Sequence, residues 1–146
     1  MSRGPQPSSV DASNRMRANR SRDTKPELRI RSELHRRGFR YFVDRRPVPG
    51  FNRRADILFP REQVAVFVDG CFWHGCPVHH SRSKANADFW RRKVDANRAR
   101  DANTDAYLRG AGWTVLRYWE HEETTVAAVG IIREVLRRRR EAREAV

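Results

Sequence analysis

Cysteine, lysine and long apolar runs are what this chain of 146 residues has least of. Its 2 cysteines are too few for the disulfide framework of a small secreted domain. No run approaches the ~20 apolar residues of a membrane-crossing helix, and no signal-like apolar segment is present, so a membrane is not expected as a partner. Lysine occurs only at Lys25, Lys84 and Lys93; the remaining positive charge among 31 basic residues is arginine. Against these stand 18 acidic residues, for a formal net charge of +13. Arginine codon bias and solubility account for arginine over lysine but poorly for the size of the excess. A charge this large favours a polyanion, and a guanidinium suits bidentate contact with phosphate.

Residues 66–80, VFVDGCFWHGCPVHH, hold most of the chemistry. The β-branched run Val64 to Val68 reads as a buried strand that ends in Asp69-Gly70. Both cysteines, three histidines, Phe72 and Trp73 follow within ten residues.

Residues 1–21 are poor in apolar side chains and read as a flexible basic arm, which either lies along a polyanion or stays disordered. Residues 22–146 form one domain, long enough for a core. Thr24, Pro26 and Glu27 mark a helix start, with Glu27 at the capping-box position, and Gly38 stops the helix after Arg37. Strands are expected over 39–44, 54–59 and 64–69. The four-residue link Pro60-Arg61-Glu62-Gln63 makes the last two antiparallel neighbours. A long helix over 84–109 has two candidate inward faces, one through Phe89, Lys93, Ala96, Arg100 and Tyr107, the other through Trp90, Val94, Asn97, Asp101 and Leu108. A strand over 113–118 and a helix over 126–143 complete the chain, the run Arg137 to Arg140 reading as a solvated helix face. The order α-β-β-β-α-β-α predicts an α/β fold, a mixed sheet flanked by helices.

Cys71 and Cys76 are five apart and His79 is three further on. This is short-range ligand spacing, and tetrahedral zinc needs four donors. His121, after the last strand, is the candidate for the fourth, and His80 competes with His79. Four protein ligands make a closed, structural zinc site. The alternative is two free buried cysteines with surface histidines. Asp56 on one strand of the hairpin and Asp69 at the end of the other suit a hard divalent ion such as Mg²⁺. His74, between the two cysteines, would act as a general base toward water, with Asp101 orienting it or a metal-bound water. Glu27 is explained by capping alone, with metal or water handling as a second possibility. Phe72, Trp73 and Trp90 are either core or wedges that enter a base stack.

The stretches NRSRDTKPELRIRSELHRRGFRY, ADILFP, VFVDGCFWHGC, FWRRKVDANRARD and GWTVLRYWEHE, roughly residues 14–123, resemble the very-short-patch-repair (Vsr) mismatch endonucleases. The resemblance implies a restriction-endonuclease-like core with a structural zinc loop. It implies Mg²⁺-dependent nicking of double-stranded DNA on the 5′ side of the thymine in a T:G mismatch, the product of 5-methylcytosine deamination. A cytosine methyltransferase and mismatch-repair proteins are the implied functional partners, in a cytoplasmic, nucleoid-associated monomer. By motif, Asp56 matches the metal-binding aspartate, His74 the catalytic histidine, and Glu27 and Asp101 acidic residues near the site. Phe72, Trp73 and Trp90 match the aromatics that enter the DNA, Cys71 matches a zinc ligand, and the Val68 carbonyl matches a second magnesium contact. Two departures stand out. Asp69 replaces a second active-site histidine, and would serve as an added metal ligand. Cys76, His79 and His121 replace a His, Cys, Cys ligand set. Other expected readings are a nuclease of this fold for different mismatched or modified DNA, and a zinc-stapled DNA-binding module without catalysis.

If phosphate contacts dominate binding, DNA affinity falls steeply with salt. A protein with about 6–10 such contacts loses ~10³-fold or more between 50 and 200 mM salt, which a fluorescence-anisotropy titration reads directly.

Overall fold

The computed structural model describes residues 24–70 and 87–145. The first helix, α1, spans Lys25–Arg36. Thr24 occupies the N-cap position by its backbone, while its side chain makes no capping bond, unlike the sequence expectation. Glu27 faces inward and is 1% exposed, with Arg31 at 3.4 Å. At the far end, Gly38 adopts φ +91, the Gly38 N–H donates to the His35 carbonyl and the Phe39 N–H to that of Leu34. This Schellman closure requires the left-handed conformation that glycine adopts without strain.

Strand β1 is Phe42–Arg45, shorter and later than the expected 39–44. Phe39 and Tyr41 pack against the core beside α1 instead, and the Tyr41 hydroxyl donates to the Arg31 carbonyl at 2.8 Å. β2 (Ala55–Phe59) and β3 (Val64–Asp69) form the expected antiparallel hairpin, with Phe59 opposite Val64. Helix α2 is Ala87–Gly110, β4 is Thr114–Trp119 and α3 is Thr124–Glu144. The sheet order is β1-β2-β3-β4, with β4 parallel to β3 from Val64↔Thr114 to Asp69↔Trp119. A parallel neighbour requires a crossover, and α2 lies within it.

Alternation along β2 and β3 sends side chains to two cores. Ile57, Phe59, Val64 and Val66 pack with Ile30 and Leu34 of α1 and with Ala127, Ala128, Ile131 and Val135 of α3. Leu58, Ala65, Phe67 and Val115 pack on the other face with Leu108 of α2. Both faces are covered, so β3 reads as an unbroken apolar run. α3 lies close on the sheet: a Cβ at Gly130 would stand 2.7 Å from the Tyr118 hydroxyl, which no side chain tolerates without displacing that ring.

Two sequence expectations at α3 are corrected. The helix starts at Thr124 because Glu123, an uncommon N-cap type, accepts from the backbone N–H groups of Thr125 and Val126, both at 3.0 Å. The run Arg137 to Arg140 is not simply a solvated face. Arg138 donates to the carbonyls of Glu62 and Gly112, at 2.7 and 2.8 Å, and to Gln63 Oε1 at 2.9 Å. Arg139 pairs with Glu62 at 2.7 Å, and Arg137 reaches Glu134 and Glu141. These arginines fasten the end of α3 to the β2–β3 turn and to the entry of β4.

Ile131 is fully buried between α1 and the sheet, so Ile131→Ala is expected to cost about 2–5 kcal/mol in urea unfolding. Phe42 is 47% exposed on the edge strand, and Phe42→Ala is expected to cost less than about 1 kcal/mol.

Candidate active site

The β2–β3 pairing runs from Phe59↔Val64 to Ile57↔Val66. One residue before Ile57, a side chain takes over: the Val68 N–H donates to Asp56 Oδ2 at 2.7 Å. The carboxyl is held by a backbone group at the end of the sheet where β3 and β4 finish. Carboxyl ends of parallel strands are where open α/β sheets bind ligands. Burial pushes Asp56 from 3.8 up to about 7; the Val68 N–H opposes this, Glu27 and Asp69 add to it, and Arg117 opposes it. Two acidic residues that the sequence reading grouped with Asp56, Glu27 from α1 and Asp69 from β3, are thus electrostatically coupled to it.

Asp69 is 7% exposed. Its carboxylate accepts from Arg117 Nη1 at 3.0 and 3.3 Å. The carboxylate expected as an added metal ligand is thus paired with a guanidinium from β4. Asp101 lies 3.6 Å from the same nitrogen. Asp105 accepts from Arg117 Nε at 2.8 and 3.0 Å. The Arg117 guanidinium also lies 4.2 Å over the Phe67 ring. Burial works against the Arg117 charge, but Asp105, Asp69 and Asp101 outweigh it and hold the group above its ordinary value. Arg117 and Asp105 are the residues that sequence reasoning missed. The signal was present: Arg117 falls in step with buried Val115 on an alternating strand, and a guanidinium on that face needs carboxylate partners.

The second candidate face of α2 is the inward one. Val94, Thr104 and Leu108 are buried, and Trp90, Asn97 and Asp101 half-buried, while Phe89, Lys93, Ala96, Arg100 and Tyr107 are exposed. Trp90 meets the Phe89 ring edge-on at 5.1 Å. His121 is exposed in the turn after β4. That turn adjoins the end of β3, since the Glu120 N–H donates to the Asp69 carbonyl at 2.9 Å. Cys71, Phe72, Trp73, His74, Cys76, His79 and His80 lie outside the described residues, as does the arm over 1–21. Among the described residues no three His, Cys, Asp or Glu side chains group as a metal site, and no helix is long and apolar enough to cross a membrane.

The described residues thus form a mixed four-stranded sheet with helices packed on both faces. The catalytic domain of homing endonuclease I-Bth0305I shares this fold, with a TM-score of 0.51 at 19% identity over 80% of this chain and 98% of that one. Sequence gives the family. The model of the DNA mismatch endonuclease Vsr matches residues 8–81. The type II nicking enzyme V.NaeI of Lentzea aerocolonigenes is 42% identical over 130 residues, 88% of this chain and 78% of its own. The DNA mismatch endonuclease Vsr of Escherichia coli (strain K12) is 34% identical over 109 residues, 74% of this chain and 68% of its own. The chain therefore belongs to the Vsr family of DNA mismatch endonucleases, and it is a nuclease.

The raised Asp56 value has a consequence for stability. The folded chain keeps a proton that the unfolded chain loses near pH 4, so stability falls as pH rises from there through about 7. Asp56→Asn retains an acceptor for the Val68 N–H without the charge. In a chelator it is expected to exceed the wild type by about 1–3 kcal/mol at pH 8, with the gain fading toward pH 4, read from melting curves across that range.

Proposed function

We propose that this chain is a Mg²⁺-dependent nickase acting on double-stranded DNA 5′ of the thymine in T:G mismatches, in very short patch repair of deaminated 5-methylcytosine. The observation that carries the reading is Asp56: a desolvated carboxyl at the ligand end of the sheet, held by the Val68 N–H and within electrostatic reach of Glu27 and Asp69. The donor chemistry fits a hard divalent cation, which takes one or two carboxylates, completes its shell with carbonyls and water, and relieves the like-charge repulsion. Asp56 would hold Mg²⁺, with the Val68 carbonyl as second protein contact. When bound, the ion supplies positive charge for the phosphodiester as it is cleaved. His74 takes the proton from the attacking water. Cys71, Cys76, His79 and His121 would hold Zn²⁺ and so fix the loop that carries His74. The short link from Asp69 to the turn bearing His121 supports that ligand set. Phe72, Trp73 and Trp90 enter the stack beside the mismatch. The net charge of +13 supplies phosphate contact. Relatives named mismatch endonuclease or nicking enzyme support cutting of one strand. A cytosine methyltransferase is the functional partner, because its product generates the lesion.

The test is a panel of duplexes carrying every mismatch in several contexts, with strand-specific mapping of products. A single cut 5′ of the thymine in T:G, lost in chelator, is expected. His74→Ala is expected to abolish nicking while leaving DNA binding within about threefold. Equal cutting of matched duplexes, or a preference for another mismatch or a modified base, would overturn the T:G assignment.

A further inference from the structure

The Arg117 guanidinium joins three segments: its own strand β4, the end of β3 through Asp69, and α2 through Asp101 and Asp105. We propose that Arg117 is a positioning residue for cleavage: by clamping Asp69 to Asp101 and Asp105 it fixes α2 against the end of β3, at the same end of the sheet as Asp56. This rests on the nuclease reading but not on the choice of mismatch.

Of the described side chains of α2, only Val94, Thr104 and Leu108 are buried. Leu108 enters the core, Arg53 Nε donates to Thr104 Oγ1 at 3.1 Å, and the Tyr107 ring stacks on Phe51 at 3.8 Å. Apolar and ring contacts are weakly directional, whereas a forked guanidinium bound to carboxylates on two elements fixes their relative position, because each donor has a fixed direction.

The donors also decide between clamp and DNA contact. Nε and Nη2 reach Asp105 at 2.8 Å, Nη1 reaches Asp69 at 3.0 Å, and one face of the plane lies on Phe67. The side chain is 19% exposed. With its donors committed to carboxylates, Arg117 acts through the residues it holds and does not take a phosphate of the duplex.

Arg117→Lys keeps the charge but cannot span both carboxylates with a fork. Single-turnover nicking is expected to slow by about 10- to 100-fold, because misplacement by a fraction of an ångström is felt in the chemical step. Half-saturating DNA is expected to change by less than about threefold, since no DNA contact is lost. Asp105→Asn weakens the hold on α2 while leaving Asp69 paired, and is expected to slow the step by about 3- to 10-fold, so the test stands if the lysine variant does not fold. Melting curves fix an assay temperature at which each variant is fully folded. Wild-type turnover in folded variants would reduce Arg117 to a stabilising role and overturn the proposal. So would a loss of affinity equal to the loss of rate, the mark of a phosphate contact. A wild type that ignores T:G overturns the substrate assignment alone, because the series is then run on whichever duplex it does cleave.

Discussion

Parallel pairing of β3 with β4 is the constraint on which the site depends. Six register positions from Val64↔Thr114 to Asp69↔Trp119 bring β3 beside a segment 50 residues later in the chain. That pairing puts Arg117 within reach of Asp69 and sets the Glu120 N–H on the Asp69 carbonyl. It also forces a crossover, and the crossover includes the GCFWHGC stretch and α2. Without the pairing, neither the aspartates of α2 nor the turn bearing His121 would be near the hairpin that carries Asp56.

The acidic residues at this end of the sheet divide into two kinds, and the division is electrostatic. Asp69, Asp101 and Asp105 share a guanidinium that holds them in place. Asp56 has a backbone N–H as its close donor, and its burial pushes its titration up to about 7. A carboxyl in that condition lowers the stability of the folded chain and gains from a cation. The pattern matches a common arrangement of sites, in which strain at the reacting group is held in place by well-satisfied neighbours. Two other devices hold α3 to the sheet. The arginines of α3 tie the opposite end of the sheet, and Gly130 lets α3 lie close against Tyr118.

Much of this was legible in order along the chain. The turn of four residues at Pro60 gave an antiparallel hairpin, Gly38 gave a helix stop, and the apolar run at Val64 to Val68 gave a central strand, because each follows from local backbone chemistry. Asp56 stood out as an acid among apolar neighbours. Less legible were features that need a partner distant in sequence. Phe39 and Tyr41 look like strand residues but pack against α1, since β propensity describes a half-buried surface and not a pairing. Arg137 to Arg140 look like a solvated face, yet Arg138 and Arg139 donate to Glu62 and Gln63, about 75 residues away. α2 offered two inward faces, and only the sheet chose between them.

Composition and local pattern by themselves determined a basic α/β domain, the element order, a cluster of metal-capable residues after the third strand, and membership of an endonuclease family, because these depend on residue type and short spacing. Tertiary structure decided which acids are clamped and which is left desolvated. Asp69 reads in the sequence as a metal ligand and stands in the fold as the partner of Arg117. The ionisation and availability of a carboxylate depend on what lies within a few ångströms of it, and nothing in the linear order of residues states that Arg117 is one of its neighbours.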